Sequence, residues 1–255
     1  MQLGLLLFVA GLTGAVAGVL FIVPAQLRTL ETKPPAPMPV ILLASVAQSA
    51  VLLALAVWAG VALGAETGLQ APAFSALVQG GSVGDALRPQ WVPGLAGGVF
   101  GGLVLILFAR FLPPALAEAQ ARLKLPLAVR VLYGGITEEL LMRWGLMTLI
   151  TWAGWRLVQG GEGVPSSAVA WLAISISALV FAVGHLPAVA ALGGAMSRQV
   201  VGYVVGANGV FGLMAGFLFW RYGLEAAILA HSLAHVLAWV PEKLGFPGRR
   251  PMPAA

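Results

Sequence analysis

Seven segments of the chain, each close to the length of a membrane-crossing helix, are predominantly apolar, and this limits the possible folds more than any other feature. They run approximately 3–23, 39–63, 93–112, 127–152, 168–186, 200–220 and 224–240. A helix needs about 20 apolar residues to cross the hydrocarbon of a bilayer, where only helices and closed barrels satisfy every backbone polar group. No strand-like alternation and no internal repeat is visible. With 60% hydrophobic residues, 9% charged residues and a mean hydropathy of +0.95, the 255-residue chain cannot be a soluble globular domain. The expected fold is all-α: a polytopic transmembrane helical bundle of about seven to eight spans, forming a single integral membrane domain over residues 1–255. The eighth span would be the short Gly/Ala-rich stretch 187–196, as a brief or re-entrant element.

The N-terminus runs apolar from Leu3 with no basic leader, so residues 3–23 are expected to remain as a first span rather than to be cleaved. The charges then set a topology. With the N-terminus outside, the inner loops collect ten basic residues: Arg28, Lys33, Arg110, Arg122, Lys124, Arg130, Arg198, Lys243, Arg249 and Arg250. The outer loops keep three, Arg88, Arg156 and Arg221. This bias puts the C-terminus in the cytoplasm, and the chain in what reads as a bacterial cytoplasmic membrane. The basic residues form no run, so the pI near 10.2 reflects topology and gives no sign of a nucleic-acid partner. Residues 65–90 read as an outer loop of little chemical content, and Lys33-Pro34-Pro35-Ala36-Pro37 as a stiff inner linker. Gly212 and Gly216 read as a close-packing helix face. Cysteine is absent, which removes thiolate catalysis and thiolate metal ligation.

Six ionisable side chains nevertheless fall inside apolar stretches: Glu138, Glu139, Arg143, His185, His231 and His235, a set that includes every histidine. Charge at membrane depth is costly and is usually kept for function. In Thr137-Glu138-Glu139-Leu140-Leu141-Met142-Arg143, an α-helix places Glu139 and Arg143 on one face at i, i+4, as a structural ion pair. Glu138 points elsewhere and is the free carboxylate, suited to take a proton from water. His231 and His235 share a face by the same spacing, which fits either a metal or two hydrogen bonds to one reacting group. Counted at 1.5 Å per residue from the inner ends, these groups lie within roughly 15 Å of the cytoplasmic surface. They can converge on an aqueous pocket open to that side.

The ordered set Glu-Glu-x-x-x-Arg (Glu138, Glu139, Arg143), Phe-x-x-x-His (Phe181, His185) and a terminal His-x-x-x-polar (His231, His235) resembles the CPBP family. These are intramembrane endopeptidases related to the CAAX prenyl protease type 2, also called the Abi family. The flanking Tyr133-Gly134-Gly135-Ile136 and Arg221-Tyr222-Gly223-Leu224 look similar, and the likeness spans about 130–239.

The resemblance implies an intramembrane peptidase that hydrolyses peptide bonds of a membrane-associated protein or peptide. Glu138 would activate water, His231 would support the attack, and His185 with the residue at position 235 would form the oxyanion hole. Position 235, usually Asn or Asp in the family, is His here. Glu139, Arg143, Phe181 and Asn208 are supporting residues. No cofactor is favoured, although Glu138, His185, His231 and His235 could also make a zinc site. The rival is a non-catalytic immunity or binding protein that keeps the peptidase pocket. A small transporter is disfavoured by the lack of inverted repeats.

Overall fold

A computed structural model describes residues 1–29, 34, 36–123 and 125–243. Lys33, Pro35, Lys124, Arg249 and Arg250, and with them much of the expected inner linker, lie outside the described residues. The described chain is helical throughout: α1 (Gln2–Leu27), α2 (Met38–Thr67), α3 (Pro72–Gln79), α4 (Val83–Ala109), α5 (Pro114–Arg122), α6 (Leu127–Val129), α7 (Thr148–Gln159), α8 (Ser167–Gly184), α9 (Leu186–Ala191), α10 (Arg198–Tyr222) and α11 (Leu224–Lys243). Between α6 and α7 run two wide, π-type segments, π1 (Arg130–Glu138) and π2 (Leu140–Met147). The expected all-α class is therefore observed.

The span count differs from expectation. Five helices are long and apolar enough to cross a membrane: α1, α2, α4, α8 continued through α9, and α10. Leu224–Val240 in α11 is apolar but shorter, and the fourth apolar stretch is divided into wide and ordinary helix. The stretch after His185 is a continuation of α8 that ends near Leu192, rather than a crossing of its own. Residues 65–90 are also not an open loop. They contain α3 and the start of α4, and their backbone caps the bundle: Leu224 N–H donates to Gln70 O (3.0 Å), Phe74 N–H to Glu225 Oε1 (2.8 Å) and Ala226 N–H to Gln90 Oε1 (2.9 Å).

Helix ends follow the local sequence. Ser82, Ser166 and Ser197 accept the N–H of Asp85, Val169 and Val200, starting α4, α8 and α10. Gly68 (φ 72°) and Gly160 (φ 66°) stop α2 and α7 in the left-handed region that side chains avoid.

Small residues let the helices meet. On α4, a Cβ at Gly98 would come within 2.6 Å of Leu233 on α11. On α10, a Cβ at Gly212 would sit 2.9 Å from the Ala178 backbone on α8, as the small-residue face suggested. On α1, Gly18 lies against the Tyr133 ring, and Thr137 Oγ1 donates to Gly11 O at 2.7 Å. In lipid, where apolar burial drives little association, such close contact and buried hydrogen bonds hold helices together. These three contacts position the elements that carry the ionisable residues: α1 braces π1, α4 carries α11, and α8 packs on α10.

Candidate active site

The glutamates sit where π1 gives way to π2. Wide turns with i→i+5 bonding are rare and recur at functional sites. The hydroxyls of Thr137 and Thr148 lie 3.4 Å from the carbonyls of Leu132 and Arg143, five residues back in each case. The expected α-helix is therefore absent here. Even so, the Glu139–Arg143 pair forms, with Nη1 3.2 Å from Oε1 and both side chains fully buried. Arg143 also donates Nη2 to Gly212 O (3.2 Å) and lies 4.8 Å over the Phe181 ring. A buried guanidinium needs such company, because its desolvation is otherwise uncompensated.

Glu139 does more than pair with arginine. Its Oε1 is 2.7 Å from His231 Nδ1. The other face of the same imidazole looks at the second glutamate: His231 Nε2 is 3.9 Å from Glu138 Oε2. Glu138, with its side chain 18% exposed, is the more open of the two carboxylates, as its freedom from Arg143 suggested. Glu138, Glu139, Arg143 and His231 therefore form one buried group drawn from π1, π2 and α11. A carboxylate accepts only, so Glu139 fixes the Nδ1–H tautomer of His231 and leaves Nε2 directed at Glu138.

His185 closes α8. Its Nδ1 lies 2.7 Å from Phe181 O, so that nitrogen carries a proton and a neutral ring presents Nε2 as an acceptor. Phe181 stands between the histidines, with ring centroids 4.7 Å from His185 and 6.1 Å from His231. His235 stacks on His231 at 4.9 Å and 22°.

The approach of α11 to π1 depends on Gly134 and Gly135, where a Cβ would run into His235 and Ser232 respectively. Both glycines stood beside the motif in the sequence, but only the packing shows why nothing larger fits. Asn208 points back to its own helix, donating Nδ2 to Val204 O at 2.8 Å. No described contact joins it to the group around His231.

Among the described residues, no three His, Asp or Glu side chains form a group that could hold a metal ion. The Nδ1 atoms of His185 and His231 bond Phe181 O and Glu139, which leaves Nε2 as the open nitrogen of each ring, and the His231 and His235 rings stack at 4.9 Å. Two cavities, of about 520 and 590 Å3, are lined by Ala25, Arg28, Thr29 and Arg122 and by nine residues of α1 and α2; neither includes a site residue.

A bundle of apolar helices enclosing carboxylates and imidazoles defines an integral membrane protein with an internal polar site. Residues 120–237 match a family model described as Rce1-like, Type II CAAX prenyl endopeptidase Rce1-like. That segment contains all six ionisable residues of the motifs, and its likeness to the CAAX protease family, read from the ordered motifs, is borne out. The family points to a protease. No curated protein and no solved structure matches the chain significantly.

Proposed function

We propose that the protein is an intramembrane endopeptidase that hydrolyses a peptide bond in a membrane-associated protein or peptide, using water activated by Glu138. The observation that carries this reading is the Glu138 Oε2–His231 Nε2 approach of 3.9 Å, with the far side of His231 held by buried Glu139. Two acceptors so close together call for a shared proton. A water donating to Glu138 and to an imidazole Nε2 would have its oxygen lone pairs free for attack on a carbonyl carbon.

In the step this implies, the water oxygen bonds to the carbonyl carbon and its proton passes to the Glu138–His231 pair. The charges then suit the transfer: Glu138 and Glu139 against Arg143 leave one negative charge, which a protonated His231 would balance. When the carbon–nitrogen bond breaks, the same proton goes to the departing amine. His185 Nε2, an acceptor in the neutral ring, would orient the water rather than donate to the oxyanion. His235, which stacks on His231 and has no hydrogen bond among the described residues, would supply the N–H to the oxyanion.

No trio of metal donors is assembled among the described residues, and the proposed mechanism routes no step through a metal. We also place the basic residues Arg28, Arg110, Arg122, Arg130, Arg198 and Lys243 at the cytoplasmic end, opposite Arg88, Arg156 and Arg221. The unbroken helical run from Leu127 to Gln159 and α11 would then add two crossings to the five, giving seven.

The test is cleavage of a membrane-anchored peptide by purified protein in detergent, wild type against Glu138→Gln. Loss of cleavage in a folded variant supports the assignment. Equal cleavage by Glu138→Gln would end it.

A further inference from the structure

The cavity at the foot of α1 has no part in the proposed chemistry, yet it concentrates positive charge at the membrane boundary. It encloses about 520 Å3 and is lined by Ala25, Arg28, Thr29 and Arg122. Arg28 is the first charged residue after the uncharged run of α1, which places it where a membrane-spanning helix meets the headgroups. Its guanidinium has no hydrogen-bond or ion-pair partner among the described residues. Arg122 spends one donor on Leu192 O (2.9 Å), which fixes the group in place, and its other N–H donors have no partner among the described residues. The Thr29 hydroxyl lies 2.6 Å from Gln26 O and 2.7 Å from Ala191 O, one proton between two carbonyls, which brings the foot of α1 against the end of α9. Two arginines from different helices therefore face one space whose walls are already held.

We propose that this cavity binds the phosphate of an anionic phospholipid. Two guanidinium forks suit phosphate oxygens, and basic pockets between membrane helices suit anionic headgroups. The choice of a lipid over a free anion rests on what lies one to two turns deeper on α1: Leu20 and Phe21 are 52% and 44% exposed, an apolar surface along which acyl chains would lie. The bound lipid would pin the foot of α1 to α5 and α9. Because α1 braces π1 through Gly11, Gly18 and Thr137, that pinning would also steady the helix that carries Glu138.

The experiment is a thermal-shift titration of the detergent-purified full chain with short-chain phosphatidylglycerol, phosphatidylcholine or inorganic phosphate. Phosphatidylglycerol is expected to raise Tm by about 2–4 °C, saturably, as a modest ligand would for a chain of this length. Phosphatidylcholine and phosphate should leave it unmoved. Arg28→Gln, at an exposed side chain without a described partner, should fold normally and lose the shift, as should Arg122→Gln. Arg88→Gln at the opposite end should keep it. No shift with phosphatidylglycerol, an equal shift in both Arg28→Gln and Arg122→Gln, or an equal shift with phosphatidylcholine overturns the site. An equal shift with phosphate alone replaces the lipid by a free anion and overturns the proposal as stated. None of these readouts requires peptidase activity, so the lipid site and the proposed function stand or fall separately.

Discussion

The imidazole of His231 is hydrogen-bonded by Glu139, at 2.7 Å, and only faced by Glu138, at 3.9 Å. The glutamate that pairs with arginine therefore also sets the tautomer and angle of the histidine, and Glu138, the more open of the two, is left for the proposed water. One buried carboxylate links the structural ion pair to the reacting group.

Removing the proposed base should abolish turnover without unfolding the chain. Glu138→Gln keeps the shape and loses proton acceptance, so cleavage should fall by about 10²–10⁴-fold. Tm should stay within a few degrees of wild type. Detergent cleavage assays alongside thermal melts check both halves.

Breaking the ion pair should cost stability first. Arg143→Ala strands the fully buried Glu139 and should destabilise by about 3–5 kcal/mol. Adding Glu139→Gln should recover part of the loss in thermal melts, yet activity should stay low because His231 loses its anchor. Full activity in the double variant would refute the orienting role of Glu139.

His235 stands where the family resemblance implies Asn or Asp. His235→Asn preserves an N–H donor and should retain activity to within about tenfold, whereas His235→Ala should lower kcat by about 10²–10³-fold. Identical kcat values for the two variants would remove His235 from the oxyanion.

Chelation should leave activity unchanged. Dialysis against a strong zinc chelator, followed by metal analysis and assay, is expected to give active protein without stoichiometric metal. Loss of activity restored by zinc alone would reverse this expectation.

Gly134→Ala should act as an active-site mutation although glycine has no chemistry. The added methyl meets the His235 ring, so α11 must withdraw from π1. Cleavage should fall more than Tm, in contrast to Gly184→Ala, where a Cβ meets nothing within 4 Å.

Much of the fold was legible because the solvent is hydrocarbon. Uncharged runs of sufficient length dictate helices, and the small-residue face at Gly212 and Gly216 announced the α8–α10 contact. The Glu139–Arg143 pair was legible because four-residue spacing brings side chains together on an ordinary helix and, as π2 shows, on a widened one as well. The pitch itself was not legible: no residue between Arg130 and Met147 forbids an α-helix, and the wider turn arises from packing against α1, α2 and α11. Nor could spacing show that His231 would reach Glu139 as well as Glu138, since that depends on how closely Gly134 and Gly135 let α11 approach. The cap formed by residues 65–90 was hidden for a similar reason, because Gln70, Phe74 and Gln90 reveal their partners only in three dimensions.

The widened pitch at π1 and π2 ties the aim of a reacting carboxylate to the number of residues in the helix. Excising a single residue between Arg130 and Glu138 would change the number of residues in the widened turn and so alter the direction in which Glu138 faces His231. For this protein, evolution by insertion and deletion in that segment is closed even where substitution remains open.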